Sequence, residues 1–416
     1  MTRAEEDLGA GRYAGNGDGL VRDVFAADVL ATTLLVHRAI VRAGRAAAED
    51  VLRDMEDSMA TLTKVRVRVD AVRLERFVVD ALERLGMPHG DAAVTAKGLV
   101  LADLRGHESH GVSNNLMGGY VPALRSGETN ARPNVRIIQE TAVTARWDGD
   151  GGLGFVVGHR VMQDVIRRAA EYGTAWAAVM NSRHFGMAQY YPLMALPHDQ
   201  IGFAMTNSLT AGVVPFGGRE PRTDTNPITI AAPAGVEPPF VLDMATTTVA
   251  GGKIANAVRD GVPVPPTWAL GRDGLPTTDA QEALDSLRML PLGATKEGSA
   301  HKGSGLALWV DIMSGVLSLA GFPAIATNHG AVGHFFGAWR VDAFAPLDEY
   351  RAMMDERLRD IRNTPPAPGY DRVYYAGLPE WEAEQDNRAR GVPLHPVVID
   401  NLRKLAAETG ATFDLD

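Results

Sequence analysis

After about residue 130 the chain alternates short, almost wholly apolar runs with helical patterns, and a chain built this way has to pack helices against a sheet. The runs are AWAAVMN (175–181), IGFAMTN (201–207), ITIAAP (228–233) and FVLDMA (240–245), preceded by VTARW (143–147) and a helical stretch over 159–171. Strands covered on both faces lose the polar–apolar alternation of half-exposed ones, so four such runs predict a buried α/β body. Within it lies WDGDGGLGF (147–155), which contains the spacing Gly149-x-Gly151-x-x-Gly154 between a strand and a helix. That spacing invites comparison with the dinucleotide fingerprint of a Rossmann domain. Three features argue against it. The strand before it alternates polar and apolar residues, and the unit begins a third of the way along the chain. The acid at the expected distance, Glu171, falls inside the helix rather than at the end of the next strand. In a chain with 44 glycines the run reads more simply as a tight turn.

The flanking segments are helical. VRVRVD (65–70) is a short strand, and LERFVVDALERLG (74–86) places Leu74, Phe77, Val78 and Leu82 on one helical stripe that Gly86 closes. A second helix, DAAVTAKGLVLADLRG (91–106), delivers HESHGVSNN (107–115) into a turn. Pro-rich VPVPPTWAL and RDGLPTTDA form a loop or small subdomain over about 261–280, and SGLALWVDIMSGVLSLAG (304–321) reads as an apolar core helix. A surface helix with a Pro-rich break covers 345–369, and a charged helical stretch covers 379–408. Residues 20–60 carry Phe25, Val29, Val36 and Ile40 at helical spacing and look like an appendage.

Bulk properties exclude several classes. A net charge of −10 lacks the clustered cations that bind phosphate backbones, so no nucleic acid is expected as a partner, and a small molecule is. The apolar run VFAADVLATTLLVHRAIV is interrupted by Asp28, His37 and Arg38, so neither signal peptide nor membrane span is expected. The absence of cysteine removes disulfides and thiolate sites together and fits a cytoplasmic protein.

Candidate chemistry gathers at a few places. His107-Glu108-Ser109-His110 sets two imidazoles three residues apart, which is one residue short of the helical metal motif. A metal there needs further ligands from His184, His301, His329 or His334. Acid–base work and a simple helix cap are the other readings of these imidazoles. Asn181-Ser-Arg-His184-Phe-Gly186, Thr206-Asn207-Ser208 and Asp243-Met244-Ala245 each end a predicted strand, where α/β proteins place ligands. Lys302-Gly303 stands before an apolar helix, a position favourable to an anion.

Taken together, ADLRGHESHGV, NSRHFG, MTNS, the GG…DTNPITIAAP run, LDMAT, HKGSGLALWVDIMSGVLS and AGLPEWEAEQDNRARGVPL resemble the malate/L-lactate dehydrogenase family. That family also holds sulfolactate, ureidoglycolate and diketogulonate dehydrogenases and piperideine/pyrroline-carboxylate reductases. The resemblance runs over about residues 65–410. It implies an L-sulfolactate dehydrogenase-like α/β fold, in which a non-Rossmann, mixed-sheet NAD(P)-binding domain packs on a helical domain made from N- and C-terminal segments. The corresponding division is a helical extension at 1–64 and the helical part of a catalytic and dimerisation domain at 65–135. The cofactor-binding domain would follow at 136–345, with a small insertion near 261–290, and a returning helical segment at 346–416. The implied activity is hydride transfer between NAD or NADP and a small 2-hydroxy/2-oxo acid. Reduction of cyclic imino acids is the alternative, and a His-based metal-dependent hydrolase lies further off. Carried over by position, His110 is the general acid with Ser109 beside it, and His184 is a second active-site imidazole. Ser208, Asp243, Met244, Ala245, Lys302, Gly303, Gly377, Pro379 and Glu380 become cofactor contacts, without a resident metal, in a homodimer.

Three departures matter. Relatives carry an Arg shortly after SHGV, whereas no Arg lies between Arg105 and Arg125 here, leaving Arg105, Arg183 and Arg219 as candidates for the substrate carboxylate. Asp224 stands where relatives usually have Gly. The first 64 residues have no counterpart in the family.

Overall fold

The computed structural model describes residues 66–208, 210–325 and 332–415; the expected N-terminal extension, and His329, lie outside them. The first described elements follow the expected pattern. β1 (Val67–Val69) leads into the helix Ala71–Arg84, where the Asp70 carboxylate accepts the Arg73 N–H at 2.9 Å and caps the first turn. Leu74, Phe77, Val78, Ala81 and Leu82 form its buried stripe, and Gly86, at φ +96°, lets the chain turn away. The second helix spans His89–Leu104. The C-terminal end of the chain returns to this region: β9 (Val392–Leu394) pairs antiparallel with β1, Val67 opposite Leu394. The long charged stretch expected after 378 is therefore two helices, Leu378–Arg390 and Pro396–Thr409, separated by that strand.

The body is a seven-stranded mixed sheet. Its strands are β2 (Arg136–Glu140), β3 (Thr144–Asp148), β4 (Thr174–Ser182), β5 (Gln200–Thr206), β6 (Ile228–Ala232), β7 (Phe240–Met244) and β8 (Val332–Arg340), in the order β2-β3-β4-β8-β5-β6-β7. One pair, β3 with β4, is parallel, joined by the helix Gly154–Tyr172; every other pair is antiparallel. A dinucleotide fold of the Rossmann type requires a largely parallel sheet, and this one has a single βαβ crossover. β8, unforeseen from sequence, is the centre of the sheet. It separates β4 from β5 although more than a hundred residues lie between it and either partner, and its Gly337 faces the indole of Trp176.

Two faces of this sheet bury different groups. One core joins the N-terminal helices, the Gly154–Tyr172 helix, the sheet and the C-terminal helix through residues such as Phe77, Leu99, Phe155, Tyr191, Phe336 and Leu402. The opposite face packs Phe203, Met205, Ile228, Val310 and Phe335, with Trp176 and Trp339 alongside. A separate small core of Val213, Val249, Ile254, Val264, Ala269, Ala283 and Met289 draws together the loop-rich stretch around 261–280.

The segment read as a core helix differs from expectation. It is a helix over Ala300–Val310 that widens into a π-helical turn over Asp311–Val316. Ala307, Val310 and Ser314 point inward, but Leu308, Trp309, Ile312, Val316, Leu317 and Leu319 are exposed. Apolar composition alone concealed an outward apolar face.

Because a Cβ on residue 337 would drive into the Trp176 ring at the middle of the sheet, Gly337→Ala should destabilise the protein by about 1–3 kcal/mol through overpacking. Urea denaturation would read this as a lowered midpoint, and an unchanged midpoint would show that the indole moves aside freely.

Candidate active site

The glycine run is consumed by the fold. Gly149 N–H donates to Met180 O at 2.9 Å, Gly151 N–H to Asn181 O at 2.8 Å, Gly152 N–H to Gly149 O at 2.9 Å and Gly154 N–H to His184 O at 3.2 Å. No phosphate can claim those amides while the turn keeps this form. The helix also begins at Gly154 rather than near 159, because residue 154 must sit against the next strand's end: a Cβ there would collide with the Arg183 carbonyl and approach Phe185 Cα to 2.5 Å. At that end β4 is irregular, its register against β8 shifting between Val179 and Ser182 while Asn181 adopts φ +53°. Such a bulge re-aims the chain, and here it delivers His184.

A second turn brings His110. Asp103, buried at the end of its helix, accepts Val112 N–H at 2.7 Å and the Ser113 hydroxyl at 3.1 Å, so the chain between them is closed into a loop. Burial pushes its carboxyl up to about 7 against those hydrogen bonds. Gly111 is required beneath it, since any Cβ would strike the carboxylate. The segment expected as an open turn is a short 3₁₀ turn, Glu108–His110, followed by a π-helical stretch over Val112–Tyr120.

The two turns meet. His110 and His184 stack with ring centroids 5.8 Å apart and planes 19° from parallel. Ser109 Oγ lies 2.9 Å from His110 Nδ1. Tyr120 Oη lies 2.7 Å from His184 Nδ1, which also accepts the Gly186 N–H at 3.3 Å. Both rings remain reachable from solvent, yet the protein around them disfavours an added charge. Burial, with His107 nearby, lowers His110 to about 4, and burial together with His110 lowers His184 to about 4. Both are neutral imidazoles at neutral pH.

Next to His107, on the turn that carries His110, is a cavity of about 240 Å³ lined by Gln189, Val241, Leu242, Asp243, Tyr374, Tyr375, Ala376, Gly377, Pro379 and Glu380. Four residues proposed as cofactor contacts, Asp243, Gly377, Pro379 and Glu380, thus converge on one space. Gln189 couples it to the histidine turns. Its backbone N–H donates to Asp243 Oδ2 at 3.0 Å, its Oε1 accepts Arg105 Nε–H at 2.7 Å, and its Nε2 lies 2.9 Å from His107 Nε2. Asp243 is pushed above the usual carboxylate range by burial.

The remaining candidates sit elsewhere. Met244 ends β7 and Ala245 follows it, both outside the cavity lining. Ser208 Oγ lies 2.7 Å from Thr210 Oγ1, whose hydroxyl in turn donates to Asp224 at 2.5 Å, so the unusual acid braces the Ser208 loop. Lys302 is exposed, while Gly303 lets its helix lie against the Leu292 backbone. Arg105 is buried and donates from Nη1 to Glu384 Oε2 at 2.8 Å. The Arg183 guanidinium donates to the carbonyls of Glu128, at 3.0 and 2.9 Å, and Ser182, at 3.3 Å. Neither arginine presents a free bidentate edge in this form. Among the described residues no group of three His, Asp or Glu side chains converges as a metal site. His334 is instead a buried ring between Thr206 Oγ1 and Ser182 Oγ, each 2.8 Å away, stacked on Phe185. Sequence reasoning missed Tyr120 and Gln189, since both act through a neighbour distant in the chain.

A mixed sheet whose strand end and a helical turn converge two neutral imidazoles, with a cavity next to the same turn, defines an acid–base site. Residues 69–403 match the family model described as malate/L-lactate dehydrogenase. The chain is 38% identical over 349 residues to the malate dehydrogenase of Pyrococcus horikoshii, covering 83% of this chain and 96% of that one. It is 35% identical over 349 residues to the L-sulfolactate dehydrogenase of Methanocaldococcus jannaschii, covering 82% and 96%. The crystal structure of malate dehydrogenase from Entamoeba histolytica superposes with a TM-score of 0.80 at 32% identity, over 84% of this chain and all of the other. The chain belongs to the malate/L-lactate dehydrogenase family. It is accordingly an oxidoreductase acting on CH–OH groups.

If the glycines serve His184 rather than a pyrophosphate, Gly154→Ala should shift the 183–185 turn, cutting turnover by about tenfold or more. NADH affinity, measured by fluorescence titration, should stay within about twofold; a parallel collapse of both would return the run to cofactor binding.

Proposed function

We propose that the protein transfers hydride between a nicotinamide dinucleotide and a small 2-hydroxy/2-oxo acid, with His110 exchanging the proton on the substrate oxygen. The observation that carries this reading is the stacked His110–His184 pair, with His107 of the same turn as His110 joined through Gln189 to the cavity at Asp243 and Glu380. A bound nicotinamide would supply the hydride donor or acceptor. The cavity fits part of such a cofactor. At about 240 Å³ it is smaller than the roughly 300–1,000 Å³ of sites that enclose a whole drug-sized ligand. Its two carboxylate side chains suit ribose hydroxyls and an amide rather than a pyrophosphate, which would lie outside it. In oxidation, with Nδ1–H donated to Ser109 Oγ, His110 Nε2 holds a free lone pair and takes the hydroxyl proton as the C2 hydrogen leaves with its electron pair. In reduction the same nitrogen returns the proton. His184 contacts the substrate from the other side. A C=N bond of a cyclic imino acid makes the same demand on His110, so both substrate classes belong in the assay.

The direction of the His110 shift has a kinetic consequence. A ring lowered to about 4 is already deprotonated at neutral pH, so the free enzyme is ready for oxidation, and its reduction-competent fraction falls about tenfold per pH unit above that value. Measured kcat/KM for 2-oxo acid reduction should therefore decline steadily from pH 5 to 8, while oxidation stays level; a plateau in reduction up to pH 7 contradicts it. His110→Ala should lower turnover roughly 10²-fold or more with cofactor affinity nearly intact, and equal loss of binding would make His110 structural.

The assembly we infer is a homodimer. Its support is the outward face of Leu308, Trp309, Ile312 and Val316, each at least 40% exposed, an apolar patch of the kind that marks an interface. Sedimentation should give twice the chain mass for the wild type and a monomer for Trp309→Glu; a monomeric wild type removes the inference.

A further inference from the structure

The two imidazoles are held differently, and the difference lies in what each can do with a proton. His110 Nδ1 faces a serine hydroxyl, which rotates and serves as donor or acceptor. His184 Nδ1 faces the backbone N–H of Gly186 at 3.3 Å, which can only donate, and the Tyr120 hydroxyl at 2.7 Å. A nitrogen that accepts from a fixed N–H carries no proton of its own, so the Tyr120 O–H also donates to it and the ring hydrogen belongs on Nε2. Tyr120 cannot easily give up this role. It is 4% exposed, its ring packs edge-on to Phe155 at 6.1 Å and 90°, and burial pushes its hydroxyl well above the usual phenol range. Phe155 is locked in turn, because Gly98 and Gly186 leave room for its ring and no side chain fits there.

We propose that Tyr120 is a positioning residue that, with the Gly186 amide, holds His184 as a neutral imidazole protonated on Nε2, so that His184 donates a fixed hydrogen bond to the substrate oxygen and proton exchange is left to His110. The reasoning turns on charge. A carboxylate behind a histidine stabilises the imidazolium that forms in catalysis, whereas a phenol and an amide N–H offer it no compensating charge. Protonating Nδ1 would set its N–H against the immovable Gly186 N–H, lose that hydrogen bond and force the Tyr120 hydroxyl to turn from donor to acceptor. Two stacked rings 5.8 Å apart also repel if both are cationic, so confining the charge to one of them suits the pair. The proposal rests on the oxidoreductase reading of this site and assigns the two histidines within it.

Two-bond ¹H–¹⁵N correlation spectra of the full chain labelled with ¹⁵N-histidine test it directly, with His184 assigned by the signals lost in His184→Gln. At pH 7 the wild type should show an unprotonated Nδ1 and a protonated Nε2. Tyr120→Phe, which keeps the ring but removes the donor, should show a gain of Nδ1–H or imidazolium together with a fall in kcat of about tenfold or more, while NADH affinity stays within about twofold. An Nδ1–H tautomer or an imidazolium in the wild type overturns the proposal, as does a folded Tyr120→Phe variant with unchanged nitrogen shifts and turnover. Should that variant not fold, the wild-type spectrum decides alone. A chain with the expected tautomer that turns over no 2-oxo acid or cyclic imine keeps the lock and discards the oxidoreductase reading instead.

Discussion

Everything at the site depends on the close approach of the turn before the Gly154–Tyr172 helix to the end of β4. Four glycine amides donate to carbonyls there, and the absence of a Cβ at Gly154 lets the Arg183–Phe185 backbone come within contact. Residues with side chains would hold these segments apart. The β4 bulge then turns His184 outward, and the packing beneath it, with Phe185 stacked on His334 and on Tyr191, keeps the turn rigid. His110 depends on a comparable closure, the Asp103 carboxylate drawing in Val112 and Ser113 over Gly111. Two buried polar anchors thus determine one distance, the 5.8 Å between imidazoles.

The electrostatics follow from where these anchors sit. Surrounding protein mass disfavours charge, and so His110, His184 and His334 are all neutral near pH 7, the last lowered to about 3 by burial. Hydrogen bonds, not ion pairs, orient them. A charged relay, Glu384 to Arg105 to Gln189, sets the amide of Gln189 so that its NH₂ faces His107. Arg105, attractive in sequence as a carboxylate clamp, is thereby committed to orienting the wall.

Much was legible in the sequence because it is local. The capped helix at Ala71–Arg84, the apolar strands β4 to β7 and the order of motifs that mark the family all follow from neighbouring residues. The Pro379–Glu380 helix start and the Asp243 strand end could likewise be singled out by position. What misled was composition read without neighbours: the 300–319 stretch is apolar enough for a core, yet six of its large side chains face outward.

The sequence by itself determined the Ala71–Arg84 and His89–Leu104 helices and the apolar strands β4 to β7, which glycines free the backbone, and that His110 and His184 are available for acid–base work, since those properties reside in side chains and their spacing. Only the tertiary structure decided that β8 enters the middle of the sheet, that the glycine run serves a histidine turn rather than a phosphate, and that Tyr120 and Gln189 belong to the site. Each of those rests on contacts between segments tens to more than a hundred residues apart, where the free energy lies in packing and in paired buried polar groups that local patterns do not encode.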